Sequence, residues 1–194
     1  MLLKNSFEVA QPVDKVWRFF QDIPHVAACL PGAELTDDLG DDKYLGCVDV
    51  SMGPVKLQFK GQADVVERDE AAKRLVVDAS GADERGRGQA SMILRAQLVP
   101  GAKGTRVDLD QDLRLSGAAA QVGRGMVGDV TTVLMQQFAA NVQRWIEAAD
   151  RGEDPAQVAT AAPASGFAIG LRAMGMALAR VFARFFKPYQ PKPS

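Results

Sequence analysis

Reactive side chains are scarce in this sequence. Its 194 residues include one histidine, His25, and two cysteines, Cys29 and Cys47, with no Cys-x-x-Cys pair. Zinc and iron–sulfur sites need clustered thiolates or imidazoles, so no metal ligand is expected. No catalytic residue is expected either. His25 is of the general-base type, but no motif sets a serine, cysteine or carboxylate beside it. The two cysteines read as small buried hydrophobes rather than a disulfide, given the cytoplasmic compartment expected below. Charge of one sign is also lacking. The net charge is −1, so there is no global basic field of the kind that binds nucleic acid. No 18-residue stretch is both uncharged and mostly large and apolar, which argues against an ordinary membrane-spanning helix. The opening residues are charged and strand-like rather than a leader peptide, so the cytoplasm is the expected compartment.

One absence is local. All 24 acidic residues lie at or before Asp154, and residues 155–194 carry only cations: Arg172, Arg180, Arg184, Lys187 and Lys192. The tail therefore carries +5 and the rest −6. Such asymmetry marks a basic segment with a partner of its own. Residues 151–166 are rich in Ala, Pro, Gly and Gln and read as a linker. The expected organisation is a domain at 1–150, the linker, a helix at 167–187 and a disordered end at 188–194.

What is present is ordinary for a globular chain, with 47% apolar and 24% charged residues. Leu2–Val9 reads as a strand. Pro12 can open a helix that sets Val13, Val16, Trp17 and Phe20 on one face. A short second helix follows near Ile23–Ala28, ended by Pro31-Gly32. Six strands come next, at Ala33–Asp37, Lys43–Ser51, Val55–Glu67, Arg74–Ser80, Gly88–Val99 and Thr105–Leu115. They follow so closely that an antiparallel meander is expected. Alternation is clearest in the last, with Val107, Leu109, Gln111, Leu113 and Leu115 on one face and Arg106, Asp108, Asp110, Asp112 and Arg114 on the other. Pro100–Gly104 is expected to be a hairpin loop. Residues 121–149 form the longest helix, with Val122, Met126, Val130, Val133, Leu134, Phe138, Val142, Trp145 and Ile146 at helical spacing. The fold class is therefore α+β: a curved antiparallel sheet wrapped around one long helix.

Gly123-Arg124-Gly125-Met126-Val127-Gly128 matches a dinucleotide-binding pattern, but no strand follows to complete the βαβ unit that such a site needs. A small-residue helix start at a cavity mouth is the better reading. Tyr44, on the face of Val48 and Val50, points inward. Gln111, among apolar neighbours, needs a hydrogen-bond partner, either helix backbone or the polar head of a ligand.

Val13-Asp14-Lys15-Val16-Trp17, Cys29-Leu30-Pro31-Gly32-Ala33-Glu34 and Gly53–Gly61 (GPVKLQFKG), followed by the glycine-rich entry Gly81–Gly88, resemble the G-subunit family of carbon monoxide dehydrogenase. The likeness runs colinearly over residues 1–148. It implies the START-like helix-grip (SRPBCC) fold, in which relatives hold apolar ligands. It also implies a non-catalytic accessory protein that recruits a molybdenum-containing CO dehydrogenase, or a related hydroxylase, to the cytoplasmic membrane.

Alternation marks Val48, Val50, Val55, Leu57, Phe59, Met92, Leu94, Leu109, Gln111 and Leu113 as cavity-facing, joined by Met126, Val130 and Leu134 from the helix. That lining suits an acyl or isoprenoid molecule rather than a nucleotide or sugar. In a redox setting the expected ligand is a quinone, menaquinone or ubiquinone, with no covalently bound cofactor. In the tail, Arg172, Arg180, Arg184 and Lys187 share a sector of about 120° at helical pitch. Phe167, Leu171, Met174, Leu178, Val181, Phe182, Phe185 and Phe186 supply the apolar surface, and Pro188 stops the helix. This is the pattern of an interfacial membrane-binding helix, and it places the protein peripherally on the cytoplasmic face. Two other readings stay open: an anchor or assembly factor without ligand, and a small-molecule enzyme in which His25, Tyr44 and Glu34 take part.

Overall fold

Strand alternation and one long amphipathic helix leave a single packing solution, and the computed structural model takes it. The structure describes residues 1–52, 55–121 and 123–155. The element order is β1 (Leu2–Val9), α1 (Val13–Gln21), α2 (Ile23–Cys29), β2 (Ala33–Gly40), β3 (Lys43–Met52), β4 (Val55–Asp69), β5 (Arg74–Asp83), β6 (Gln89–Gly101), β7 (Gly104–Leu115), α3 (Ala118–Gln121) and α4 (Arg124–Asp150). The seven strands form one antiparallel sheet in the order β1-β7-β6-β5-β4-β3-β2. Only β1 leaves sequence order, because α1 and α2 carry the chain from one sheet edge to the other. Residues 167–187, with every residue expected to bind membrane, lie outside the described residues. So does all of the expected linker except 151–155.

Several boundaries differ from expectation for local reasons. The β2–β3 connection is a two-residue turn, since Gly40 pairs with Lys43. Its central residues, Asp41 and Asp42, both have positive φ, 50° and 60°. Aspartate tolerates that region better than most residues, so the pattern lacks the glycine that usually marks such a turn. Arg68 then holds the Asp42 carboxylate at 3.1 and 2.7 Å. The expected loop at 100–104 shrinks to Ala102-Lys103, because Gly101 pairs with Gly104. The long helix does not begin at 121. A four-residue helix, α3, comes first, and α4 starts after Gly123, whose φ is 84°.

Curvature comes from a row of small residues. Gly46, Gly61, Gly81 and Ala90 pair in line across β3, β4, β5 and β6. A Cβ on Gly61 would lie 1.9 Å from the Ser80 carbonyl oxygen, so the strands approach closer there than any side chain allows. The concave face so formed holds two apolar clusters. One gathers Val16, Trp17, Phe19 and Phe20 of α1 with Leu98, Val107 and Leu109 and the α4 residues Phe138, Val142, Trp145 and Ile146. Phe19, absent from the expected α1 stripe, is buried there because it meets Trp145 edge-on at 6.3 Å. The other gathers Met52, Leu57, Ala119, Val127, Val130 and Val133. Each end of α4 thus has its own core.

Candidate functional site

The sheet register settles which strand residues share a face. Val48 pairs with Phe59, Val50 with Leu57, Met52 with Val55, Leu94 with Gln111 and Met92 with Leu113. All ten strand residues expected to face a cavity therefore lie on the concave side, towards α4. Most are packed rather than open. Val50, Val55, Leu57, Phe59, Leu113, Met126, Val130 and Leu134 belong to the cluster at the start of α4. Leu94 and Leu109 belong to the other. Val48 and Met92 are half-buried and outside both, beside Gly46, Gly61, Ala63, Ala79 and Gly81 on the same face. The middle of the concave floor is thus lined by short side chains.

Two hollows open at the α3 end. One of about 330 Å³ is bounded by Met1, Leu113, Leu115, Ala120 and Val127, with Arg114, Gly123 and Arg124 around it. A second, of about 440 Å³, lies on the outer face of the sheet, along Ser80, Ala82, Gln89, Ser91, Arg114 and Ser116. Both are of a size that takes a small ligand. Of the expected cavity residues only Leu113 lines either hollow. Val127 replaces its neighbour Met126, and α3 contributes a wall that was not foreseen, because a four-residue helix leaves too short a periodic signal.

The loop Glu84–Gly88 supports this end. Asp83, only 3% exposed, is gripped by Arg87 through Nε and Nη2 at 2.8 and 2.7 Å. It also accepts the Gln58 and Arg85 backbone N–H groups, each at 3.1 Å. The Arg87 carbonyl in turn accepts the first N–H of α3, from Ala118, at 2.7 Å. Arg87 holds the Asp83 carboxyl well below its ordinary value of 3.8, aided by the backbone donors. A depressed folded-state pKa stabilises above the unfolded value and is lost as pH falls through the folded one. Acid unfolding of the native protein should therefore steepen below about pH 4. Asp83→Asn is expected to lower thermal stability at pH 7 and to flatten that acid limb, as a denaturation series from pH 7 to 2 would measure.

Besides Asp83, the buried polar residues among those described include Thr105, Gln111, Asp129 and Asn141. Gln111 is 5% exposed on β7, between Leu109 of one cluster and Leu113 of the other. Asn141 of α4 donates to the Cys29 carbonyl at 2.8 Å and accepts from Arg144 at 2.6 Å, which ties α4 to the end of α2. The Gln137 side-chain oxygen is buried with no hydrogen-bond partner. Neither Gln137 nor Asn141 was singled out from sequence. The signal was there, as a polar residue within an apolar helical stripe.

The residues of the enzyme reading do not converge. His25 is exposed on α2, 3.0 Å from the Asp22 carboxylate, with its ring tilted at 46° against Trp145 and the centroids 4.5 Å apart. Glu34 is exposed on β2. Tyr44 is buried, as its strand parity required, and burial followed by Asp38 and Asp42 pushes its phenol up, the wrong direction for a reactive phenolate. Burial pushes the Cys29 thiol up to about 12, and Cys47 is raised too. Thiolate is the reactive form, so iodoacetamide labelling of native protein should mark half-buried Cys47 slowly and Cys29 only after unfolding. Among the described residues no three His, Cys, Asp or Glu side chains form a metal-sized group. No strand follows α4 among the described residues, so the glycine pattern at 123–128 lacks its dinucleotide context.

Solved structures share this architecture. A conserved protein from Geobacillus kaustophilus superposes with a TM-score of 0.67 at 21% identity, covering 76% of this chain and 95% of its own. Protein Ms6760 from Mycobacterium smegmatis gives 0.53 at 17%, covering 76% and 92%. TTHA0849 from Thermus thermophilus gives 0.52 at 15%, covering 73% and 97%. At such identities these neighbours establish the helix-grip fold alone. No relative is found among curated proteins. A family profile is more specific: it matches residues 6–147, from β1 to the last turns of α4. The chain belongs to the CoxG family, the G-subunit family of carbon monoxide dehydrogenase.

Proposed function

We propose that this protein is a non-catalytic accessory factor that brings an aerobic molybdenum hydroxylase of the CO dehydrogenase type to the membrane, and that its concave interior carries a quinone. The accessory role is supported by the family match over residues 6–147. The ligand is supported by one observation above the rest: a hollow of about 330 Å³ at one end of the interior, with Leu113, Leu115, Ala120 and Val127 on its apolar side and Arg114 and Arg124 at its polar side. The basic, acid-free tail supports the membrane role by its sequence. No described helix is long and apolar enough to cross a bilayer. The partner enzyme is soluble while quinone is confined to the membrane. A carrier bound to both shortens the path between them.

The test uses full-length protein. Organic-solvent extraction and mass spectrometry of the purified chain should recover a quinone. Anionic liposomes should co-float the molybdenum enzyme only when this protein is present. Quinone-free protein that also fails to take up added quinone would reduce the function to anchoring. Failure of co-flotation as well would reopen the reading of an enzyme on this fold.

A further inference from the structure

The hollow of about 330 Å³ under α3 has an apolar wall and a cationic side. Leu113, Leu115, Ala120 and Val127 form the wall, and Arg114 and Arg124 complete it. Its lining holds two cations and no acid. The acids nearest to these arginines in sequence are placed elsewhere. Asp112 lies 3.8 Å from the N-terminal amine, and Asp129 is buried in α4, 5% exposed. Arg124 is the first residue of α4, and Gly123 before it also lines the hollow. Gly123 has no side chain to cap the helix, and nothing lies within 4 Å of the Cβ it lacks. The uncapped first turn of a 27-residue helix therefore adds partial positive charge on the same side. Two guanidinium groups are a surplus for a neutral quinone. They match an anion.

We infer that the hollow binds a single-chain amphiphile with an anionic head, a carboxylate or a phosphate monoester, and that this ligand competes with quinone for the same space. The competition rests on the quinone reading; the binding does not. The chain lies over Leu113, Leu115, Ala120 and Val127, and the head takes N–H donors from Arg114 and Arg124. Guanidinium meets carboxylate or phosphate through parallel paired hydrogen bonds, and it has no acceptor to offer a hydroxyl. Both arginines are exposed, so water screens them and the charge adds selectivity more than affinity. The apolar wall supplies the rest. A free fatty acid and a lysophospholipid-type phosphate share this chemistry.

The experiment titrates full-length protein, without vesicles and with each probe below its micelle threshold, at neutral pH. The probes are decanoate, decyl phosphate, decanol and decyl-ubiquinone. Decanoate and decyl phosphate should bind about 5- to 20-fold more tightly than decanol, the gain expected of partly screened charge-assisted hydrogen bonds. Whichever of the two binds better names the head, fatty acid or phosphate. In Arg114→Gln/Arg124→Gln both anions should fall to the decanol level while decanol is unchanged, and the variant should melt with the native chain. Ala120→Trp sets an indole into the hollow from an exposed position and should weaken all four probes. Decanoate should displace decyl-ubiquinone from the native chain. Equal binding of decanoate and decanol would overturn the inference. So would an anion preference that survives both variants, which would place it on the cationic tail. Quinone binding that decanoate leaves untouched would overturn the competition and spare the quinone reading. Anion binding without quinone binding would uphold the site and sink the quinone reading instead. If the native chain binds none of the probes, both fall.

Discussion

Gly61→Val is expected to destabilise the domain by more than about 3 kcal/mol, towards the upper end of overpacking effects. A Cβ at this position would sit 1.9 Å from the Ser80 carbonyl oxygen and 2.6 Å from the Gly81 Cα. Both atoms belong to β5 backbone, so no flexible side chain can move aside. Gly81 and Gly46 have the same problem in milder form, with the Lys60 oxygen at 2.9 Å and the Glu34 oxygen at 2.6 Å. The strands must separate at the crease, which flattens the floor beneath α4 and breaks contact with both clusters. In a domain of this size such a loss lowers Tm by at least about 6–12 °C. Gly128→Ala is the control of opposite sign. Nothing lies within 4 Å of its would-be Cβ in α4, so helix propensity should stabilise by about 1 kcal/mol. A Gly61→Val protein that melts with the native chain would show that the crease does not shape the sheet.

Removal of residues 165–194 is expected to abolish flotation with anionic liposomes while leaving the melting of the helix-grip domain unchanged. The tail carries Arg172, Arg180, Arg184 and Lys187, and each cation near an anionic leaflet contributes about 1 kcal/mol. Together they account for about a thousandfold in partitioning. Reversal of two of them, in Arg180→Glu/Arg184→Glu, should therefore displace the protein from the membrane as truncation does. Raising salt from about 0.1 to 1 M, which shortens the screening length from about 10 to 3 Å, should release the native chain in part, since the phenylalanines and leucines of the segment still partition. Flotation that persists after truncation would place the membrane contact in residues 1–164. A full-length chain that never floats would assign the tail to a protein partner.

Much of the fold was legible because its signals are periodic. Val107, Leu109, Gln111, Leu113 and Leu115 repeat every two residues, and the register confirms that they share one face. The stripe from Val130 to Ile146 repeats every three or four, and it is the buried side of α4. Burial on one face is what selects these patterns, so they survive in a single sequence. The Asp41-Asp42 turn, the two-residue turn after Gly101 and the break before Arg124 were not legible. Each depends on one or two backbone angles, and two aspartates in the left-handed region look like any acidic pair.

The candidate site divides along the same line. That the interior is aliphatic, and that Gln111 stands in it, followed from alternation alone, because side-chain polarity is written residue by residue. Which of those residues pack and which bound open space was decided only by three-dimensional contact. Most of the expected lining closes into two cores. The hollow lies instead beside Leu113, Leu115 and Val127 under α3. Likewise Gln137 carries no mark in sequence beyond being polar. Its unpaired oxygen exists only because the helix turns that face towards a curved sheet, where water is excluded and no neighbouring donor reaches it.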